Sequence, residues 1–509
     1  MRPLRVAGGL AGLVLASLLL RLEGQGVSLW LDEGISIGIA SHPAADIPGL
    51  LVQDGSPPLY YLLLHGWMRL FGDGPVAVRS LSLLAALAMV PVAYWAGRSL
   101  FGSRSGWIAA ALAATSPYLS LWGRDARMYT LLALLALVAV TAFLHAFAFG
   151  RRRWIPAFVV SLALVCYTHN WGLYLAAASA LAAVVCALRR PDTRRALLDV
   201  VLAFTGVALL YAPWVPTLAR QVSATGAPWS TVPVLREAVS ALGSVLGDER
   251  VLVALLVAGT VPLAVLARQR HTGEGRAVVG LAVVVAASVS LAWVGSQIEP
   301  GWSARYFGIF LAPLLVLAAL ALSRAGGAGL VAFGLIVVFW TQPLGRVTGA
   351  RATPTMDDKG NVEEVSLVLE TVTRPGDLVI STQIEHVPLL YHYFGDDLRY
   401  AIPMGLVADP QVVDWRYALD RMEASTPATG LEPLVDDLGP GAQIILVCPR
   451  LTTEPGDLTW SRLMDLRCRE WRQVLDADPT LALRRGPFPK DEEPEPGTSV
   501  FVLVYEKRV

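Results

Sequence analysis

The first 343 residues of the chain contain no lysine. Their basic side chains are 24 arginines, set against 14 acidic residues, whereas residues 344–509 hold 17 basic and 27 acidic residues. The formal net charge of +0 therefore hides a basic part and an acidic part, and the reversal predicts a domain boundary near residue 344. The arginines are scattered between apolar runs and form no basic face, so nucleic-acid binding is not expected.

Charged residues are scarce along the whole chain. They make up 16% of it, against about 25% in soluble domains, while hydrophobic residues make up 54% and the mean hydropathy is +0.53. This composition excludes an ordinary soluble domain and predicts an integral membrane protein. The sequence also has no phosphate-binding glycine loop and no dinucleotide fingerprint, so it does not predict a nucleotide-sugar site.

Cysteine is rare, and its spacing does not fit a metal site. Cys166 and Cys186 lie in apolar runs and are expected to be small core residues. Cys448 and Cys468 lie in the acidic part and could pair if that part is outside the cell, but the sequence does not give their distance. A divalent metal, held by acids and a histidine that face one cavity, stays open as a cofactor, although no ligand spacing indicates it.

Eleven apolar runs predict eleven membrane spans. The stretch from Met1 to Leu22 begins with Arg2 and Arg5 and continues as an apolar run. No cleavage site for a signal peptide follows it, which predicts an uncleaved span with a cytoplasmic N-terminus. The other runs cover residues 76–97, 107–123, 128–149, 155–170, 171–188, 196–214, 251–267, 277–296, 305–322 and 327–343. The loops that this count places inside are short and rich in arginine, as the positive-inside rule requires. The acidic part is then expected outside the cell membrane.

The acidic part alternates strand-like and helix-like runs. Short apolar runs at 377–381, 443–448 and 500–505 are typical of buried strands, each next to turn residues. Helical spacing covers the stretches 361–372, 411–424 and 460–475. The predicted fold is therefore a mainly α, polytopic bundle over residues 1–343, with an extracytoplasmic α/β domain over residues 344–509.

One stretch between the first and second spans, Val27–Gly72, concentrates polar chemistry. It carries the acidic pair Asp32-Glu33, a third acid at Asp54 and an apolar run, Leu59–Phe71. That run is too short to cross a bilayer, so we expect a re-entrant or surface helix. Carboxylates held there would face water on one side and lipid on the other, which suits an enzyme that joins a lipid-borne substrate to a polar one.

The order of motifs in this region resembles a known class of membrane enzymes. Trp-x-Asp-Glu at 30–33, Pro-Pro-Leu-Tyr-Tyr at 57–61, Leu-Phe-Gly at 70–72 and Val-Arg-Ser-Leu-Ser at 78–82 follow one another. This order is similar to glycosyltransferases of the GT-C class, closest to the protein mannosyltransferase and aminoarabinose transferase branch (glycosyltransferase family 39). The resemblance covers about the first two thirds of the chain.

This resemblance implies an inverting glycosyltransferase in the cell membrane. Its donor would be a polyprenyl-phosphate sugar, either mannose or another hexose or pentose, and transfer would occur on the outer side. The acceptor would be a glycan, a lipid-linked glycan or a protein, and membrane lipids would surround the enzyme.

The resemblance also implies catalytic acids. Asp32, in Leu31-Asp32-Glu33-Gly34, matches the residue that acts as the base in this class, and Glu33 stands beside it. An alternative role for Asp32 is an N-cap of a short helix. Asp125, at the start of the fourth span, matches a second acid, or it forms a local ion pair with a neighbouring arginine.

The donor phosphate calls for a cationic partner. Arg305 with Tyr306 is the strongest candidate, because the class often has an Arg-Tyr pair there and a guanidinium makes paired bonds to phosphate. Arg127 and His169 are further candidates for substrate binding. Asp54 is a substrate ligand or a turn-forming residue.

Two other functions compete with an enzyme. A transporter or flippase of lipid-linked sugars would place polar residues near the bilayer midplane and show repeated halves. The predicted spans are mostly free of charge and no repeat is visible, which favours an enzyme. A sensor with a ligand-binding outer domain would leave the acidic first loop unexplained.

Overall fold

The computed structural model describes residues 3–341, 360–451, 453, 457–489 and 499–508. The predicted domain boundary near residue 344 lies outside the described residues.

Helices build the chain as far as Trp340. Their bounds are α1 Pro3–Leu19, α2 Leu31–Ser41, α3 Ile47–Asp54, α4 Leu59–Phe71, α5 Pro75–Phe101, α6 Ser103–Thr115, α7 Pro117–Trp122, α8 Tyr129–Phe143, α9 Ile155–Thr168, α10 Gly172–Leu188, α11 Thr193–Tyr211, α12 Val215–Ala224, α13 Leu235–Val245, α14 Glu249–Arg268, α15 Gly273–Ile298, α16 Gly308–Arg324 and α17 Gly326–Trp340. A π-helical turn, Leu144–Ala148, continues α8, and a 3-10 turn, Ala304–Phe307, leads into α16. The predicted short helix Leu59–Phe71 is confirmed as α4.

The prediction of a membrane protein is confirmed by the length and composition of these helices. Six helical segments among the described residues are long and apolar enough to cross a bilayer: Pro75–Phe101, Tyr129–Ala148, Thr193–Ala224, Glu249–Arg268, Gly273–Ile298 and Ala304–Arg324. Three shorter apolar helices accompany them, Leu4–Leu19, Gly172–Leu188 and Gly326–Trp340. Each of the eleven predicted runs coincides with a helix, but the count of eleven spans stays a prediction.

Arginine-rich connections meet at one end of the helical bundle. Arg104 Nη2 donates to the Gly326 carbonyl at 3.0 Å, and Arg276 Nε donates to the Ala148 carbonyl at 2.7 Å. Helix α16 runs from residue 308, just after Arg305, to Arg324 beside these connections, so Arg305 and its partner Asp32 lie at the other end of that helix. Basic connections and acidic loops are thus separated along the bundle axis.

A mixed sheet forms the centre of the C-terminal part. Its strands are β1 Leu378–Ser381, β2 Arg399–Ile402, β3 Gly405–Leu406, β4 Gln443–Pro449, β5 Leu481–Phe488 and β6 Val500–Lys507. The strand order is β3-β2-β1-β4-β6-β5; β1 pairs in parallel with β2 and β4, and the other pairs are antiparallel. Around the sheet lie α18 Val362–Leu369, α19 Val387–Phe394, α20 Ala418–Ala424, α21 Pro427–Gly430, α22 Glu432–Asp436 and α23 Thr459–Ala477. The three predicted strands are β1, β4 and β6, and Cys448 in β4 is disulfide-bonded to Cys468 in α23.

The helix predicted over residues 411–424 is wrong in its first half. Only Ala418–Ala424 is helical, and residues 409–417 form an irregular segment with a turn near its start, here called the strap. Its backbone N–H groups bond outward instead of along a helix: Trp415 N donates to Gln53 O at 2.9 Å, and Tyr417 N donates to Ala224 O at 2.8 Å. Tyr417 has φ 51°, a left-handed conformation that interrupts any helix passing through it.

The C-terminal part packs directly on α2. Two glycines of α2 allow the close approach: a Cβ at Gly34 would lie 2.8 Å from the Leu389 side chain, and a Cβ at Gly38 would overlap the Gln411 carbonyl oxygen. His42, just after α2, adds a 3.0 Å contact from Nε2 to Asp409 Oδ2. Helix α2 therefore lies between the helical bundle and the sheet.

Candidate active site

Asp32 lies in the first turn of α2 and points away from the helix end. The N-cap is Trp30, whose backbone N–H donates to Glu33 Oε2 at 3.3 Å, so Glu33 supplies the capping carboxylate. Asp32 Oδ2 instead accepts a hydrogen bond from Arg305 Nη1 at 2.5 Å. The alternative role of Asp32 as an N-cap is therefore not what the structure shows.

Arg305 approaches Asp32 from the 3-10 turn before α16. Its guanidinium carbon lies 4.5 Å from the centre of the Trp229 ring and 5.4 Å from the centre of the Tyr306 ring. These two cation–π contacts restrict the orientation of the guanidinium group. Arg305 Nε is buried, and no described residue accepts a hydrogen bond from it. An unmade bond of this kind costs about 1–3 kcal/mol, which an oxygen atom of an anionic ligand would recover.

A second guanidinium comes from the loop before α8. Arg127 Nη1 donates to the Asp32 carbonyl at 3.3 Å and to Ser36 Oγ at 3.1 Å, both on α2. Arg127 Nε lies 3.4 Å from Tyr129 OH. Two cations thus flank the one carboxylate of Asp32.

These side chains line a cavity of about 450 Å³ at the end of the bundle that lacks the basic loops. Six of the eight predicted site residues line it: Asp32, Asp54, Arg127, His169, Arg305 and Tyr306. Its walls come from α2, α3, α10, α12 and the turn before α16, and Trp415 of the strap contributes from the C-terminal part. Glu33 and Asp125 are not among the lining residues.

Glu33 is fully buried and binds Arg79 of α5. Arg79 Nε donates to Oε1 at 2.7 Å, Nη2 donates to Oε2 at 2.6 Å, and Ala126 N donates to Oε1 at 2.9 Å. Asp125, beside Ala126, accepts from Trp30 Nε1 at 2.8 Å and is also fully buried. Because neither carboxylate reaches the cavity, this geometry favours roles in fixing α2 and the loop before α8.

Asp54 ends α3 at the cavity wall. Tyr61 OH donates to its Oδ2 at 3.3 Å. Burial raises the pKa of the Asp54 carboxyl above its usual range, and the charge of Arg127 with hydrogen bonds from Ser56 and Tyr61 opposes the rise. Asp54 is thus a buried acceptor close to the second guanidinium.

The rings of His169 and Tyr306 contact each other at the cavity wall, tilted by 46°. Their ring centroids are 4.5 Å apart, and the Trp171 ring lies 5.3 Å from Tyr306. His169 Nδ1 accepts a hydrogen bond from Trp171 N at 3.1 Å. The neutral imidazole therefore carries its proton on Nε2, so that nitrogen acts as a donor.

Metal ligation has no obvious place in this arrangement. In the part of the chain that the structure describes, no group of three or more His, Cys, Asp or Glu side chains is positioned to hold an ion. The divalent metal left open above therefore enters no step proposed below.

The lining residues that were not singled out from the sequence include Gln221, Trp229 and Trp415. Trp229 and Gln221 lie in the long connection after the seventh predicted span. Trp229, which directly follows a proline, was the feature of this connection that could have indicated a site. Trp415 gave no signal, because its segment had the spacing of a helix.

The chain is similar to known proteins in sequence over one region and in structure over nearly its whole length. A family model described as dolichyl-phosphate-mannose-protein mannosyltransferase matches residues 55–219. No curated protein sequence matches the chain. The structure of ArnT from Cupriavidus metallidurans bound to undecaprenyl phosphate superposes with a TM-score of 0.60 and 14% identity, over 99% of this chain and 98% of ArnT. The chain has the GT-C fold.

Two further GT-C structures extend this likeness. The archaeal oligosaccharyltransferase AglB from Archaeoglobus fulgidus, in complex with an inhibitory peptide and a dolichol-phosphate, gives a TM-score of 0.50 at 12% identity, over 86% of this chain and 69% of AglB. The arabinofuranosyltransferase AftD from Mycobacteria gives 0.56 at 16% identity, over 100% of this chain and 40% of AftD. The resemblance to GT-C enzymes is thereby confirmed at the level of the fold.

Proposed function

We propose that this GT-C protein is an inverting glycosyltransferase that moves a sugar from a polyprenyl-phosphate carrier to an acceptor hydroxyl. The observation that carries the proposal is the pair formed by Asp32 and Arg305 inside the cavity. A carboxylate beside buried guanidiniums provides a base and a phosphate ligand within one site.

The reaction follows from these groups. The acceptor oxygen forms a bond to the anomeric carbon, and its proton passes to the Asp32 carboxylate. The bond from that carbon to the phosphate oxygen breaks, and its electron pair leaves with the polyprenyl phosphate. Arg305, and Arg127 at the other side of Asp32, stabilise the charge that grows on the phosphate. One displacement from the opposite face inverts the anomeric centre.

The resting pair of Asp32 and Arg305 also suggests an order of events. A phosphate brings stronger charge and more acceptor oxygens to Arg305 than Asp32 does, so we expect it to displace the carboxylate. Asp32 then loses its counter-ion and becomes free to accept a proton. Donor binding would thus prepare the base.

Lipid phosphates support the choice of donor by analogy. ArnT of Cupriavidus metallidurans holds undecaprenyl phosphate and AglB of Archaeoglobus fulgidus holds a dolichol-phosphate, within the same fold. The family model adds the description of a dolichyl-phosphate-mannose enzyme over residues 55–219. We place mannose or another hexose or pentose on the carrier, and a glycan, lipid-linked glycan or protein as acceptor.

We further propose that the cavity faces the outer side of the cell membrane. Arginine-rich connections at the other end fit the cytoplasmic side, which puts the N-terminus inside. The disulfide between Cys448 and Cys468 fits an oxidising compartment for the C-terminal part. In this arrangement residues 1–343 form the membrane domain and residues 344–509 an extracytoplasmic α/β domain.

The decisive experiment offers the purified protein a panel of radiolabelled polyprenyl-phosphate sugars. We expect one of them to lose its label to an acceptor fraction, and Asp32→Asn protein to leave it intact. In sealed vesicles, movement of labelled lipid across the bilayer without any loss of sugar from the carrier would instead make the protein a flippase and overturn the proposal.

A further inference from the structure

Two amides, one from the loop before α10 and one from α12, hold the turn that follows α3. Asn170 Nδ2 donates to the Gly55 carbonyl at 2.9 Å. From α12, Gln221 Nε2 donates to the Leu51 carbonyl at 2.8 Å and to the Ser56 carbonyl at 3.1 Å. These bonds fix both side chains against the same turn.

These hydrogen bonds also determine which atom of each side-chain amide remains without a partner. A backbone carbonyl only accepts, so the nitrogen of each amide must face the turn and the oxygen must face away from it. Gln221 is 2% exposed, and among the described residues nothing donates to its Oε1 or to Asn170 Oδ1. Two residues that line the cavity therefore each have a buried acceptor oxygen without a donor among the described residues.

A carboxylate and an indole complete this corner. Asp54 belongs to the same turn and lines the cavity as a third acceptor. Trp415 of the strap also lines it, is 7% exposed, and is fixed by the bond from its backbone N–H to Gln53 O, one residue before Asp54. The corner thus combines hydrogen-bond acceptors with an aromatic side chain.

We infer that Asn170, Gln221, Asp54 and Trp415 form the subsite that binds the sugar ring of the donor. Hydroxyl groups of a sugar supply the donors that the two amide oxygens lack and can add to those that Asp54 already has, and the aliphatic face of the ring can pack against the indole. The inference rests on the proposed function, because it assumes a donor that carries a sugar on phosphate.

The position of the phosphate supports this assignment. The Arg305 guanidinium, which lies against the Trp229 and Tyr306 rings, only donates hydrogen bonds and so fits the phosphate. Arg127 donates to the Asp32 carbonyl and its charge acts on Asp54, so Arg127 lies between the phosphate region and the proposed sugar subsite. The anomeric carbon, bonded to both sugar and phosphate, would then lie beside Asp32.

The test compares two ligands that differ only in the sugar. KM is measured for the sugar-bearing donor, and the inhibition constant is measured for polyprenyl phosphate without a sugar. In Trp415→Ala and Gln221→Met protein, KM should rise about 3- to 10-fold, since each loses contacts of ordinary hydrogen-bond or packing strength. The inhibition constant of sugar-free polyprenyl phosphate should stay at the wild-type value, because neither substitution changes the charge of the cavity. Gln221→Met keeps the length of the side chain and removes its amide, and Trp415→Phe should give an intermediate KM because it keeps an aromatic ring.

Gln297→Leu is the matched control. Gln297 Nε2 donates to the Pro233 carbonyl at 2.7 Å, and the residue does not line the cavity, so both constants should be those of the wild type. A KM and an inhibition constant that rise together would overturn the inference, as would unchanged constants or a rise confined to the acceptor's KM. A wild-type protein that consumes no lipid-linked sugar would instead overturn the proposed function, and the sugar subsite with it.

Discussion

Replacing Asp32 by Asn tests the centre of the mechanism, because it removes a charge with little change in shape. The amide retains an oxygen where Oδ2 now accepts from Arg305 Nη1 at 2.5 Å. It removes the basicity on which proton transfer depends. Turnover should therefore fall by ~10²–10⁴-fold, the range typical of a lost general base.

The same substitution should tighten the binding of the carrier. In the resting protein Asp32 competes with phosphate for Arg305, and hydrogen bonds to a charged group exceed neutral ones by about 1–2 kcal/mol. Loss of that competitor should lower the dissociation constant of sugar-free polyprenyl phosphate by ~5–30-fold. A residue that only stabilised the fold would not change turnover and affinity in opposite directions.

The loss of stability in Asp32→Asn protein is limited because Arg305 keeps an acceptor for its hydrogen bond. Removing one member of a buried ion pair costs about 3–5 kcal/mol when nothing replaces it, but Asn still accepts a bond from Arg305. The decrease in unfolding free energy should be smaller than that figure. Turnover is measured with the labelled donor and affinity with the sugar-free carrier. Wild-type turnover, or weaker binding of the carrier, would refute the assignment of Asp32 as the base.

Three further predictions follow from particular residues. Arg305→Ala should weaken binding of the sugar-free carrier by ~10–100-fold, because one charge-assisted hydrogen bond is lost, while the KM of the acceptor stays constant. If carrier and acceptor binding weakened equally, Arg305 would not belong to the phosphate site. Burial raises the pKa of Glu385 from 4.5 to about 7, against the hydrogen bond from Trp460, so the folded protein holds this proton more tightly than the unfolded chain. Stability should therefore fall as pH rises from about 4.5 to about 7, and Glu385→Gln should lessen that fall in unfolding midpoints; an identical pH profile would contradict the assignment. A reporter fused after Val509 should be active only outside the cytoplasm, and cytoplasmic activity would reverse the proposed topology.

The sequence pattern predicted those elements whose formation is decided locally. Leu59–Phe71 is bounded by Pro58 and Gly72, and the structure ends α4 at the same residues. The buried strand β4 was visible because its run of apolar residues is continuous. In both cases neighbouring residues carry the information.

Roles that depend on distant contacts were harder to predict. Asp32 and Glu33 are adjacent acids that no pattern distinguishes, yet successive residues on a helix point about 100° apart. One carboxylate consequently faces Arg305, 273 residues away, and the other faces Arg79 of α5. Gln221 meets Leu51 across 170 residues, so its role is fixed by the packing of α12 on α3.

The strap shows the same limit in the C-terminal part. Residues 411–424 have helical spacing throughout, but the backbone of Trp415 and Tyr417 bonds to α3 and α12. These outside acceptors satisfy the N–H groups that a helix would otherwise pair internally, so tertiary contacts override a weak local preference.

The position of the proposed base depends on three neighbours of one short helix. Arg79 holds Glu33 from α5, Arg305 holds Asp32 from the turn before α16, and the Gln411 carbonyl lies against Gly38 from the strap. An eleven-residue helix is marginal by itself in water, so its orientation must come from such contacts. Because one of the three belongs to the C-terminal part, that part helps to orient the helix that carries the proposed base.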